Sequence, residues 1–235
     1  MSEERSPYYA YYVGMTHGLV YNPEMIKEKD LPKSYDDLIS TKWRGKIVVR
    51  SPLKGVSGAT LVSYINQTRG MEWFRKLGAN RPYVVQDYIE QHRMVLKKKY
   101  PVALSRDLEL ASYAQQIKDH EGTVSNLKFA LMKEEVPYQY MVAALNSKPL
   151  HPAAASLFLE FLLSKEAGKI LEGSGYSAGQ RRLEHLSRPK VWHWEMDSVS
   201  SMYEYQSYVA RALRLLRDGG AKIEPVLRYG VPAFE

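Results

Sequence analysis

Between residues 46 and 117 the chain alternates short apolar runs with longer periodic ones: "KIVVRS", then "TLVSYINQT" and "MEWFRKLG", then "PYVVQ", "DYIEQHRMVLKKK", "YPVALS" and "DLELASYAQQI". The short β-branched runs read as buried strands and the stretches between them as helices. Each return to a parallel neighbour needs a crossover, so this alternation puts helices on the faces of a mainly parallel sheet. It constrains the chain to the α/β class.

The flanks extend the pattern. "YYAYYVGMTHGLVYN" (8–22) reads as one or two strands broken at Gly14, and Asn22-Pro23 opens a short helix. Pro32 stops the chain, and Ser34 N-caps "YDDLIS", whose first turn is acidic. "TVSNLKFALM" and "YQYMVAAL" read as two strands, and "SVSSMYEYQSYVARALRLLRDGG" as an amphipathic helix ending at Gly219. "HPAAASLFLEFLLSKEAGKILEGSG" (151–175) reads as one helix. Its apolar residues, Ala155, Phe158, Leu159, Leu162, Leu163 and Leu171, span a wide arc, which predicts burial.

Composition removes several function classes. The 235 residues include no cysteine, so there is no disulfide framework, thiolate nucleophile or Cys-based zinc site. The net charge of +7 is spread along the chain, and runs such as "LKKKY" read as solvated faces rather than a nucleic-acid surface. No segment reaches the roughly 18 apolar residues that a membrane span needs, so membrane insertion is not expected. The start, "MSEERSPYY", is polar and has no apolar core of a signal peptide.

Short motif matches carry little. "GSGYSA" (173–178) fits G-x-G-x-x-A but follows a helix, so it reads as a C-cap loop rather than a dinucleotide turn. "SPLK" and "SNLK" fit S-x-x-K without the partner motifs of that chemistry. "WHW" (192–194) reads as aromatic packing, and no metal-binding or cofactor motif is present. One segment has more to say. "VVRSPLKGVSGATL" runs from a strand through a Gly/Ser loop into a helix. That brings Ser57, Gly58 and free amides to the carboxyl edge of the sheet, where open α/β sheets bind ligands. The alternative is an ordinary βα turn.

"GLVYNPEMI…LPKSYDDLISTKWRGKIVVRSP…SGATL" resembles the solute-binding proteins of ABC importers, in the branch that includes ferric-iron-binding proteins. Tyr21-Asn22, Ser34 to Leu38, Trp43 to Gly45 and Ser57-Gly58 carry the resemblance, with "KKKYPVALS" and the 151–176 stretch. It covers about residues 12–180. It implies a periplasmic-binding-protein-like (type 2) two-lobed clamp that performs no chemistry, binds a solute between its lobes and delivers it to ABC permease subunits in the periplasm or outside the cell. Residues 1–11 would be the hinge entry, 12–118 a nearly complete second lobe, and 119–235 a returning part of the first. About a third of a usual member, signal peptide included, would precede this stretch. Helices and strands of 119–235 would then lack their sheet partners and expose apolar surface.

Iron-binding members carry paired tyrosines after the "Y-P-V" strand. Here that position holds Ser105, Arg106 and Asp107, which supply no phenolate. A guanidinium fork suits a carboxylate or phosphate instead, so the expected solute is a small polar or anionic molecule, with no metal and no cofactor. By loop position the candidate ligand-binding residues are Thr16, Ser51, Ser57, Gly58, Tyr88, Ser105, Arg106 and Tyr138, with Tyr176 as a further cleft aromatic. A remnant that binds no solute, an interaction protein, or a sensor or enzyme on the same clamp are the other readings.

Overall fold

The computed structural model describes residues 9–117, 126–173, 177–178, 191–193 and 199–224. Its strands are β1 (Tyr9–Tyr21), β2 (Ile47–Arg50), β3 (Tyr83–Val85), β4 (Val102–Arg106), β5 (Lys128–Ala130), β6 (Val136–Ala144), β7 (Ser177–Ala178), β8 (Val191–His193) and β9 (Lys222–Ile223). The helices are α1 (Tyr35–Leu38), α2 (Gly55–Arg69), α3 (Glu72–Ala79), α4 (Tyr88–Leu96), α5 (Asp107–Ile117), α6 (Pro152–Leu162), α7 (Lys165–Gly173) and α8 (Val199–Gly219).

The strands form one sheet in the order β8-β6-β1-β4-β2-β3-β9, with β5 and β7 also paired to β1. β2, β3, β4 and β9 run parallel, as the alternation predicts. β1 is the seam of the molecule. Its first half pairs antiparallel with β6, from Tyr9↔Ala144 to Thr16↔Tyr138, and its second half with β4, from His17↔Arg106 to Tyr21↔Val102. Thirteen residues run through Gly14 as one strand, with a register irregularity between Tyr11 and Val13.

Both faces of the parallel part are covered, which is why its strands are apolar throughout. Ile47, Val49, Val102 and Leu104 face Ile65, Trp73, Phe74, Leu77 and Leu215 of α2, α3 and α8. The alternate residues Val48 and Ala103 face Met94, Val95 and Tyr113 of α4 and α5. Period-2 alternation thus builds two cores from one run of residues.

The connecting motifs work as local clamps. Ser34 Oγ accepts from the Asp37 amide at 3.1 Å while the Asp37 carboxylate accepts from the Ser34 amide at 3.2 Å, a capping box that starts α1. Asn22 is fully buried. Its side chain donates to the Val95 carbonyl at 3.3 Å, and its carbonyl accepts from the Met25 and Ile26 amides. Asn22-Pro23 therefore forms a turn, not the helix its proline suggests. Gly45 of the Trp-x-Gly motif has φ 70° and donates to the Asn80 carbonyl at 2.7 Å, tying the entry of β2 to that of β3.

Two outcomes differ from expectation. The 151–175 stretch is two helices, because Leu163 and Ser164 end α6 before Lys165 starts α7. Apart from Ala167, their apolar residues are not buried. Leu157 is 68% exposed and Phe158 60%, with Leu163 and Ile170 more than half exposed. Helical spacing shows that a surface is fit for burial; what lies against it decides, and among the described residues little does. These two helices therefore present apolar surface among the described residues. Second, α8 and β9 fall within the 119–235 stretch but pack with the 47–106 layer. α8 lies along α2 and α3, and β9 extends the parallel sheet beyond β3 through Tyr83↔Lys222 and Val84↔Ile223.

Candidate functional site

β2 and β4 end side by side, with β4 next to β1, and their last residues are Arg50 and Arg106. Glu109, one helical turn after Arg106, lies between them. Its Oε1 is 2.7 Å from Arg50 Nη1 and 2.8 Å from Arg106 Nη2. Its Oε2 accepts from Ser105 Oγ at 3.1 Å. His92 Nε2 is 3.0 Å from the same Ser105 oxygen. Since the hydroxyl proton goes to the carboxylate, the imidazole donates from Nε2 and leaves Nδ1 unprotonated. The order is His92 to Ser105 to Glu109. With this tautomer the serine donates to a carboxylate that two guanidiniums hold, not to the imidazole.

The electrostatics follow from this geometry. Burial pushes the Glu109 carboxyl up, but Arg106 and Arg50 outweigh it and hold the pKa down at about 2. Burial lowers His92 to about 4, against the pull of Glu109 and with a push from Arg50, so the ring is neutral at physiological pH. Two guanidiniums share the Glu109 carboxylate, and Asp87 also acts on the Arg50 charge. The neighbouring acid, Asp107, is engaged elsewhere. Thr16 donates to it from its amide at 3.1 Å and its hydroxyl at 2.9 Å, and the Leu108 amide donates at 2.7 Å.

The predicted residues divide accordingly. Ser105 and Arg106 are in the cluster, and Tyr88 is close enough to act on the Arg50 charge. Arg106 is not a free fork. Nη2 is on Glu109, Nη1 is 3.2 Å from Gln139 Oε1 and also lies against Met15, while Thr60 Oγ1 is 3.4 Å from the same Gln139 oxygen. Thr16 is buried and bonded to Asp107. Ser51, at the carboxyl end of β2, is 1% exposed, and its hydroxyl has no hydrogen-bond partner among the described residues. Ser57 and Gly58 lie inside the first turn of α2 rather than before it. A Cβ on Gly58 would sit 2.3 Å from the Pro52 carbonyl oxygen, so this glycine lets the helix close onto the preceding loop. Tyr138 is buried over Gly14, where a Cβ would meet its Oη at 1.6 Å, and its ring meets Tyr140 edge-on at 4.7 Å. Tyr176 lies outside the described residues.

Sequence reasoning missed Arg50, Glu109, His92 and Gln139. Part of the signal was present, since "SRDLE" places an acid three residues after Arg106 and four after Ser105, on one helical face. Arg50 and His92 gave no local sign. Among the described residues no group of three or more His, Cys, Asp or Glu is placed to hold a metal, and no helix is long and apolar enough to cross a membrane.

An antiparallel seam strand joining a parallel, doubly covered sheet to a second strand group is the architecture of the type 2 periplasmic binding proteins, and solved structures share it. Iron-bound HitA of Pseudomonas aeruginosa superposes with a TM-score of 0.64 at 23% identity, over 91% of this chain and 69% of that one. A periplasmic thiamin-binding protein gives 0.67 at 19%, over 90% and 67%. The spermidine/putrescine-binding protein PotD of Streptococcus pneumoniae gives 0.61 at 15%, over 89% and 69%. The chain thus spans about two thirds of the length of these proteins. No curated protein sequence matches it. The profile of the bacterial extracellular solute-binding proteins matches residues 1–194, and the chain belongs to that family. These are the solute-receiving components of ABC transporters, extracellular or periplasmic, and they are not enzymes.

Proposed function

We propose that this protein binds a small anionic solute against the Arg50–Glu109–Arg106 cluster, between the lobe built on β2, β3 and β4 and the group of strands around β6, and delivers it to ABC permease subunits. The observation that carries the reading is the charge of the cluster: two guanidiniums share one carboxylate at the carboxyl edge of a parallel sheet. A carboxylate or phosphate oxygen brought there gives the two guanidiniums a further acceptor and offers the Ser51 hydroxyl one as well. The buried network through His92, Ser105 and Gln139 fixes both guanidiniums in place, which lowers the ordering cost of binding.

Iron, thiamin and polyamines are cationic, and two guanidiniums side by side disfavour a cation at this place. Ser105, Arg106 and Asp107 also offer no phenolate. The lobe division itself belongs to the same reading, with β1 as the strand shared by both. The test is a thermal-shift panel of small carboxylates and phosphates beside ferric iron and polyamines. The reading expects an anion to raise stability by about 2.7 kcal/mol at a hundredfold excess over Kd. Stabilisation by ferric iron or a polyamine, with none by anions, would sink it.

A further inference from the structure

The parallel strands have a second end. The segments that lead into β2, β3, β4 and β9 are 41–46, 80–82, 97–101 and 220–222, and together they hold Lys42, Arg44, Lys46, Arg81, Lys97, Lys98, Lys99 and Lys222 and no acid. Eight cations thus gather at the amino edge of the sheet, opposite the cluster described above. Three of them surround a pocket of about 270 Å³ lined by Arg44, Gly45, Arg81, Tyr100 and Lys222. That is room for a group of several heavy atoms, since a water's share of the liquid is about 30 Å³.

The pocket is held by the backbone. The Gly45 amide donates to the Asn80 carbonyl at 2.7 Å and the Lys222 amide to the Pro82 carbonyl at 2.9 Å. The Tyr100 ring lies 5.9 Å from that of Tyr83, which pairs with Lys222 across β3 and β9. Arg81 has φ 52°, a conformation that glycine or asparagine adopts at lower cost. None of Arg44, Arg81 or Lys222 forms an ion pair among the described residues, although Lys98 nearby pairs with Glu24 and Arg69 with Asp36 and Glu134. Burial, helped by Tyr83, raises the Tyr100 phenol, so it keeps its proton and remains a donor.

From this geometry we infer a second anion site, at the amino edge of the sheet, for a phosphate group recognised by Arg44, Arg81, Lys222 and Tyr100. Four separate donor groups exceed what the two oxygens of one carboxylate satisfy; a phosphate has more oxygens and more charge. The strands separate this edge from Arg50 and Arg106 by about 13 Å, at roughly 3.3 Å per residue, so both sites can be filled at once. The phosphate is either free in solution or the headgroup of an anionic lipid.

The test compares the full chain with the triple variant Arg44→Gln, Arg81→Asn, Lys222→Gln, and with a control, Lys29→Gln, Lys33→Gln, Lys76→Gln, which removes equal charge from exposed positions elsewhere. Inorganic phosphate and pyrophosphate are titrated calorimetrically, and vesicles of phosphatidylglycerol and of phosphatidylcholine are co-sedimented with each protein. The site predicts saturable binding of a phosphate probe, or of phosphatidylglycerol but not phosphatidylcholine vesicles, weakened about tenfold or more in the triple variant and unchanged in the control. Phosphate binding without vesicle binding assigns a soluble ligand, and vesicle binding assigns a headgroup. Equal weakening in both variants would reduce the effect to overall charge, and absence of binding to every probe would remove the site. The titrations are repeated in an Arg50→Gln background, so that phosphate held at the Arg50–Arg106 cluster is not counted, and the loss in the triple variant persists there.

Discussion

Glu109 accepts from two guanidiniums and a hydroxyl at once, and almost none of it touches water. Glu109→Gln keeps the shape but removes the carboxylate that Arg50 and Arg106 share. Breaking a buried pair in this way costs about 3–5 kcal/mol, and urea unfolding should show a loss in that range. A loss below about 1 kcal/mol would mean that the cluster is solvated. His92 gives a pH signature. Its folded pKa is about 4 against 6.5 in the unfolded chain. Below pH 6.5 the unfolded chain takes up a proton that the folded chain refuses, so stability declines as the pH drops from 6.5 to 4, by on the order of 3 kcal/mol. Glu109, lowered to about 2 from 4.5, adds a further loss between pH 4.5 and 2. His92→Gln should flatten the slope between pH 6.5 and 4 and leave the lower one. An unchanged slope would assign that decline to other groups. The candidate site was half legible at this scale. Ser105 and Arg106 are adjacent in sequence and share one helix start with Glu109, whereas Arg50 and His92 reach them only through the fold.

Elements divide by how their partners were encoded. Strands β2, β3 and β4 and helices α4 and α5 were legible, because both the apolar runs and the caps are local. Asp87, which accepts from the Glu90 amide at 2.8 Å to start α4, is one such cap. β9 was not legible, since a two-residue strand has no periodicity and only its pairing with β3 defines it. α6 and α7 were legible as helix and illegible as to burial. That yields a prediction. Leu157→Ser and Phe158→Ser should each change stability by no more than about 0.5 kcal/mol while lowering self-association, because the apolar groups already face water. A cost above about 2 kcal/mol in denaturant unfolding would show that these side chains are packed. The β1–β6 ladder makes the opposite case. Gly14→Ala puts a methyl into the space of the Tyr138 ring, and overpacking of this kind costs about 1–3 kcal/mol. Tyr138→Ala in the same chain should return part of that loss, and a double-mutant cycle that shows strict additivity would contradict the contact.

For the whole molecule, the account is of a two-sided α/β sheet joined through one long strand to a second strand group, with a buried pair of arginines at the junction. The family fixes the class of function, and the junction's charge argues for the sign of the solute. The fold class was readable because alternation is a global pattern written in local runs. The solute was not, because it depends on charges that three separate elements bring together. The most direct test is a melting experiment on wild type and Arg50→Gln with a panel of small carboxylates and phosphates, ferric iron and polyamines. The account predicts that one or more anions raise the wild-type melting temperature, and that Arg50→Gln, which removes one of the two guanidiniums, melts cooperatively but loses that rise. If ferric iron or a polyamine stabilises the wild type, or if Arg50→Gln responds to the same anion undiminished, the cluster is not the solute site.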